Sequence, residues 1–248
     1  MPVTLRLKVD ISRNDWEQHV LDLLASRDIS WRVQCMHETD GCKISSICRS
    51  SEALIAFLRD NGGSKSIVLQ QYLEPLPQFA ALKNRLSIKV AVLAVGNLQV
   101  YIQQDAMVYL AGGEEDEREE EAMFSLKSLK DSGGDITYRW LGPWVETLQG
   151  KLSISVEKVF DALRNKKTQF LAMPNCFELF AFTFALTSDE ANGPQPWLLK
   201  VESSMEAENA LRGQEKLVGS AVQLSLHALG LLPRSSEPPT FSLVKKFA

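Results

Sequence analysis

A chain of 248 residues, 45% hydrophobic and 23% charged, has the composition of an ordinary soluble globular protein, with length enough for a sizeable core. Its formal net charge of -4, with acids and bases interspersed, excludes a dominant phosphate-binding surface, so no nucleic-acid partner is expected. No apolar run reaches the roughly 18–20 residues that span a bilayer, which gives an expectation of no membrane insertion and a cytoplasmic setting.

The opening residues, MPVTLRLKVDISRNDW, carry charges inside their apolar stretch and do not read as a secretory signal. Import into an organelle by another route would leave no trace here. Within them VTLRLKV alternates as a strand does. SRNDWEQHVLDLLAS then opens on Ser12 with Asp15 three residues on, a capping-box pattern, and sets Trp16, Val20, Leu23 and Leu24 on one helical face. ISWRVQCM reads as a strand, and SSEALIAFLRDNGG as a short helix from serine to Asn61-Gly62. SIVLQQYL, LSIKVAVLAV and LQVYIQQ follow as strands, the last two joined by Gly96-Asn97 as a two-residue turn, with AMVYLA as a third member.

At residues 112–134 the chain turns acidic and glycine-rich. Glu114 to Glu121 holds seven acids and one arginine, and self-repulsion predicts a solvated insert loop. SISVEKVFDALRNKK reads as a helix. FELFAFTFALTSDEANGPQPWLLKVESS then reads as two strands around a polar turn, and residues 205–232 as a long amphipathic helical region. Pro233 ends it and leaves 233–248 as a tail. The order of elements predicts an α+β fold, a mainly antiparallel sheet packed by helices on one side, in one domain over 1–248.

Cys35, Cys42, Cys48 and Cys176 lack the tight pairs of a zinc site and read as reduced, partly buried thiols. In the hairpin, Phe180, Phe182, Phe184 and Leu186 share a core face, while Ala181, Thr183 and Ala185 line the other with small residues, suited to a cleft floor or a closely packed helix. Lys200 and Glu202 share one face of the second strand, so pairing of the two strands brings Thr183, Lys200 and Glu202 together. Mg²⁺ with triphosphate wants two or three oxygen ligands. This face offers a hydroxyl, an ammonium and one carboxylate.

Three blocks carry a resemblance to a known family: SIVLQQYLEPL, RLSIKVAVLAVGNLQVYIQQDAMVYLA, and the pair MPNCFELFAFTFALT and QPWLLKVESS. Together with the segment from Ile29 to Leu58 they resemble the tubulin–tyrosine ligase and polyglutamylase family, which implies an ATP-grasp fold. The resemblance also implies that key positions have degenerated. The family's nucleotide-contacting lysine falls at Gln34, an arginine at Lys89, its first metal-binding aspartate at Thr183, and its metal-binding glutamate and asparagine at Lys200 and Glu202.

The leading expectation is therefore a non-catalytic, ATP-grasp-like protein without ATP or Mg²⁺. It would act as a scaffolding subunit among protein partners, with tubulin, microtubules or cilia as the setting the resemblance suggests. One alternative is an active ATP- and Mg²⁺-dependent amino-acid ligase in which Glu202 holds a metal beside a recruited Glu178 or Asp189. Another is an accessory subunit of an unrelated complex, with the acidic insert as its docking surface.

Overall fold

The computed structural model describes residues 4–8, 30–37, 43–61, 64–73, 85–111, 120–125, 141–165, 173–189, 193–203, 215–233 and 240–247. The capping-box segment at 12–26 and most of the acidic insert lie outside these residues. The chain groups into two compact units, Met1–Glu74 and Pro75–Ala248.

In the first unit, strands β1 (Thr4–Lys8), β2 (Trp31–His37), β3 (Lys43–Cys48) and β4 (Ser64–Gln71) form an antiparallel sheet in the order β1-β4-β2-β3. Helix α1 (Ser51–Asp60) follows β3, a strand the sequence reading leaves unassigned. Alternation along β2 buries Trp31, Val33 and Cys35 in one cluster with Leu54 and Leu58 of α1. The helix starts where Ser50, in extended backbone, accepts from the Ala53 N–H at 3.2 Å, and it ends where the Asn61 side chain donates to the Phe57 carbonyl at 2.8 Å.

The second unit holds β5 (Arg85–Val95), β6 (Gln99–Gln103), β7 (Met107–Ala111), β8 (Glu120–Ser125), α2 (Val145–Asn165), β9 (Phe177–Asp189), β10 (Gly193–Ser203), α3 (Glu215–Ala228) and β11 (Phe241–Lys246). Its sheet runs β10-β9-β5-β6-β11, with β7 pairing β5 and β8, all antiparallel. The expected α+β class with a mainly antiparallel sheet holds.

The helices, however, lie on both faces of this sheet rather than one. On the first face Val90, Val92, Phe182 and Phe184 pack with Val145, Leu148, Leu152, Val156 and Phe160 of α2. On the second, Ala91, Leu93 and Ala181 pack with Leu217 and Ala221 of α3. The physical reason is legible in β5, where Val90 to Leu93 is an unbroken apolar run with no exposed surface, as a strand covered on both sides requires. The Phe182 ring stacks between Phe160 and Phe184, with centroids 6.2 and 6.3 Å away.

Four sequence expectations change. The β5–β6 turn has three residues, Gly96 to Leu98, because Val95 pairs with Gln99. Leu98 takes φ 67° at its third position, a left-handed conformation costing about 1 kcal/mol for an L-residue, offset by burial of its side chain in the α2-side core. The acidic insert is not loop throughout, since β8 begins at Glu120 and pairs with β7.

The expected tail at 233–248 contains β11, anchored because Phe241 and Phe247 are both buried and Lys245 reaches Glu157 (2.9 Å) and Asp161 (3.1 Å) on α2. Finally, α2 begins earlier than SISVEK, at Val145, because Leu148 and Leu152 already face the core. The last helix stops at Ala228, where Gly230 at φ 76° donates to the His227 carbonyl and Leu231 to that of Leu226, a complete Schellman cap.

Candidate functional site

The strand register brings four of the five sequence-selected residues onto one face of the second unit. Lys89 of β5 pairs with Thr183 of β9, and Thr183 pairs with Lys200 of β10, so the three form one row across adjacent strands. With neighbouring strands about 4.8 Å apart, the row is about 10 Å wide at the backbone. One row on, Ala91, Ala181 and Glu202 are in register. Gln34, the fifth residue, belongs to the first unit, where it is exposed on the face of β2 away from α1.

A bulge sets this arrangement. Leu198 pairs with Phe184 and is buried in the same core, yet Lys200 pairs with Thr183 on the other face. Strict alternation would place Leu198 and Lys200 on the same face. The register shift between them lets the strand bury Leu198 and still turn Lys200 and Glu202 outward.

At Ala181 the small-residue face is covered by a helix. Ala181 packs beneath Leu217 and Ala221 of α3, and Ala185 is buried as well. Thr183 and Lys89 keep partial exposure. The Lys200 ammonium donates to Glu202 Oε1 at 2.7 Å, with the lysine side chain 64% exposed and the glutamate 14%.

Neither of the other proposed carboxylates comes beside Glu202. Glu178 pairs with Ala94 on the α2 side of the sheet, opposite Thr183 and Glu202. Asp189, at the far end of β9 against Gly193, stands eight residues from Ala181, roughly 27 Å along the strand.

Three contacts hold the strands of the site and were not read from the sequence. The buried Gln103 side chain accepts from the Ala91 N–H at 3.1 Å, where β5 exchanges β6 for β7 as its partner. Lys151 of α2 donates to the Pro194 carbonyl at 3.1 Å, and the Trp197 indole donates to the Thr187 hydroxyl at 2.9 Å. None of the three carried a local signal in the sequence; the partner of Gln103, for example, is a backbone amide twelve residues away.

Chemically, Lys89, Thr183, Lys200 and Glu202 supply two ammonium groups, one hydroxyl and one carboxylate that is already bonded to an ammonium. A magnesium ion demands oxygen ligands and anionic charge. This donor set does not fit a pair of such ions bridging a triphosphate, because the ammonium of Lys200 takes the carboxylate oxygen a cation would need. Among the described residues, no group of three or more His, Cys, Asp or Glu side chains converges, and no helix is long and apolar enough to cross a membrane. Among the described residues the thiols divide into buried Cys35 and Cys48 and exposed Cys176, so the last departs from the expected partial burial, while Cys42 lies outside these residues.

No protein-family model matches the chain, and no curated protein is similar to it. Among solved structures it is similar to the C-terminal domain from K. lactis Pby1, described as an ATP-grasp enzyme interacting with the mRNA decapping enzyme Dcp2. That similarity has a TM-score of 0.68 at 18% sequence identity and covers 100% of this chain and 72% of that one. The fold is therefore ATP-grasp-like. The narrower likeness to tubulin–tyrosine ligases is matched by no family model.

Proposed function

We propose that this protein is a non-catalytic ATP-grasp-like domain that serves as a scaffolding or binding subunit in the cytoplasm. The resemblance to tubulin–tyrosine ligases makes microtubule or ciliary proteins the first partners to examine. The observation that carries the reading is the 2.7 Å bond from Lys200 to Glu202, on the same face as Thr183. In the family resembled, this face gathers carboxylates around Mg²⁺. Here an ammonium group satisfies the one carboxylate from within the chain. The separation of Glu178 and Asp189 from Glu202 supports the same reading, because neither supplies a second ligand.

Thermal melting of the full chain with ATP, with and without Mg²⁺, tests it. The expected result is an unchanged midpoint up to about millimolar nucleotide. A ligand at about 100 times its Kd stabilises a fold by roughly 2.7 kcal/mol. A Mg²⁺-dependent upward shift of that size would overturn the proposal and return the ligase reading.

A further inference from the structure

Helix α3 and the turn that ends it carry no charged side chain across sixteen residues, from Leu217 to Leu232. One side of this helix is accounted for, since Leu217 and Ala221 pack on the sheet with Leu224 and Ala228 beside them. The side facing water carries Val218, Gly219, Val222 and Gln223, with the valines 44% and 38% exposed. A helix that borders solvent carries charges on its outer face, and one apolar all round is buried.

The outward apolar positions are ordered. Val218, Val222 and Leu226 recur at intervals of four, the spacing of a helix-packing seam, while Leu229 packs back on the sheet core. The seam widens at its C-terminal end, where the capping turn presents Leu231 and Leu232 (66% and 46% exposed). Met173 and Phe177 (57% and 45% exposed) belong to the segment that leads into β9. The two stretches meet at Gly96, whose α-carbon is flanked by the Pro174 carbonyl and the Leu229 side chain. Six of the nine large apolar side chains that stand exposed among the described residues thus belong to one strip of the second unit.

We infer that this strip is a homodimer interface, in which α3 packs against α3 of a second copy about a two-fold axis. Two observations select a second copy over another occupant. The six residues, 38–66% exposed, form an apolar patch on the order of several hundred Å², comparable with the apolar share of the ~800 Å² each partner buries in a standard interface. A two-fold contact also sets a surface against itself, so any charge on the seam would face its own copy. Between Leu217 and Leu232 there is none. Gly219, with no atom within 4 Å of where a Cβ would stand, leaves room for close approach of the two helices.

Sedimentation of the full chain over a dilution series from about 100 µM to below 1 µM tests the inference. The wild type should be a dimer that dissociates on dilution. Val222→Glu, on an exposed helical position whose folding circular dichroism checks, should raise the dimer Kd at least about 100-fold by burying unpaired carboxylates. Mixing Val222→Glu with Val222→Lys should restore association as a heterodimer. Ile154→Glu, at an exposed apolar position of α2, should leave the dimer intact. A wild type monomeric at the highest concentration, a dimer that survives Val222→Glu, or equal disruption by Ile154→Glu would each overturn it.

Discussion

Trp144 packs against Gly193 so closely that a Cβ on the glycine would stand 2.5 Å from two carbons of the indole ring. Gly193 also takes φ 69°, a conformation costly for any residue with a Cβ. The contact ties the start of α2 to the start of β10. Gly193→Ala should therefore lose about 2–4 kcal/mol of stability, from the left-handed backbone and from overpacking together. Urea unfolding measures it, and a loss below about 0.5 kcal/mol would show that the clasp is soft.

Lys200→Glu places two carboxylates two residues apart on one strand face. In EDTA the variant should melt lower than wild type, by no more than about 1 kcal/mol because the lysine is largely exposed. Added Mg²⁺ should restore the midpoint of the variant and leave wild type unmoved. Equal behaviour of both proteins with Mg²⁺ would remove the neutralising role assigned to Lys200.

Ala181 lies under α3 with no exposed surface. Ala181→Leu should cost about 1–3 kcal/mol through overpacking. A neutral substitution, measured by denaturant unfolding, would mean that this part of the face is open space rather than packed helix contact.

Hydrogen bonds from Lys245 to Glu157 and Asp161 raise the lysine pKa above its ordinary value. A raised pKa stabilises the fold in full below the unfolded-state value of about 10.4 and ceases to as pH rises through the folded-state value. Lys245→Met should accordingly melt below wild type at pH 8, with the difference closing above about pH 10.5. A gap constant across that range would assign the effect to packing on Phe247, 4.9 Å from the ammonium to the ring centroid, instead of charge.

Cys35 and Cys48 are buried, and burial pushes the Cys48 thiol pKa up, while Cys176 is exposed. Under native conditions iodoacetamide should modify Cys176 well before either buried thiol, as read by peptide mass mapping. Comparable rates at Cys48 and Cys176 would show that the first unit opens readily.

Much of the fold was legible because its signals are local. Alternation marked β1, β9 and β10, apolar runs marked β2, β4 and β5, serine and asparagine bracketed α1, and the phenylalanines of β9 announced the core-facing side. The convergence of Thr183, Lys200 and Glu202 was also legible, since it follows from side-chain period and one hairpin. Lys89 could be joined to that row only once β5 was known to pair with β9. The tail was misread because β11 is short, bulged between Leu243 and Lys245, and held by residues far away in sequence. Nor did the three-residue turn show itself, since a leucine at positive φ carries no turn signal.

The sequence by itself determined most of the element types and the aromatic core face, because periodicity and residue chemistry are properties of a few neighbouring positions. Only the tertiary structure decided that Glu178 stands on the opposite face from Glu202, that the bulge beside Leu198 turns Lys200 outward, and that α3 covers Ala181. Each depends on which strand or helix packs against which, a choice made by burial across segments tens of residues apart, and no local pattern encodes it.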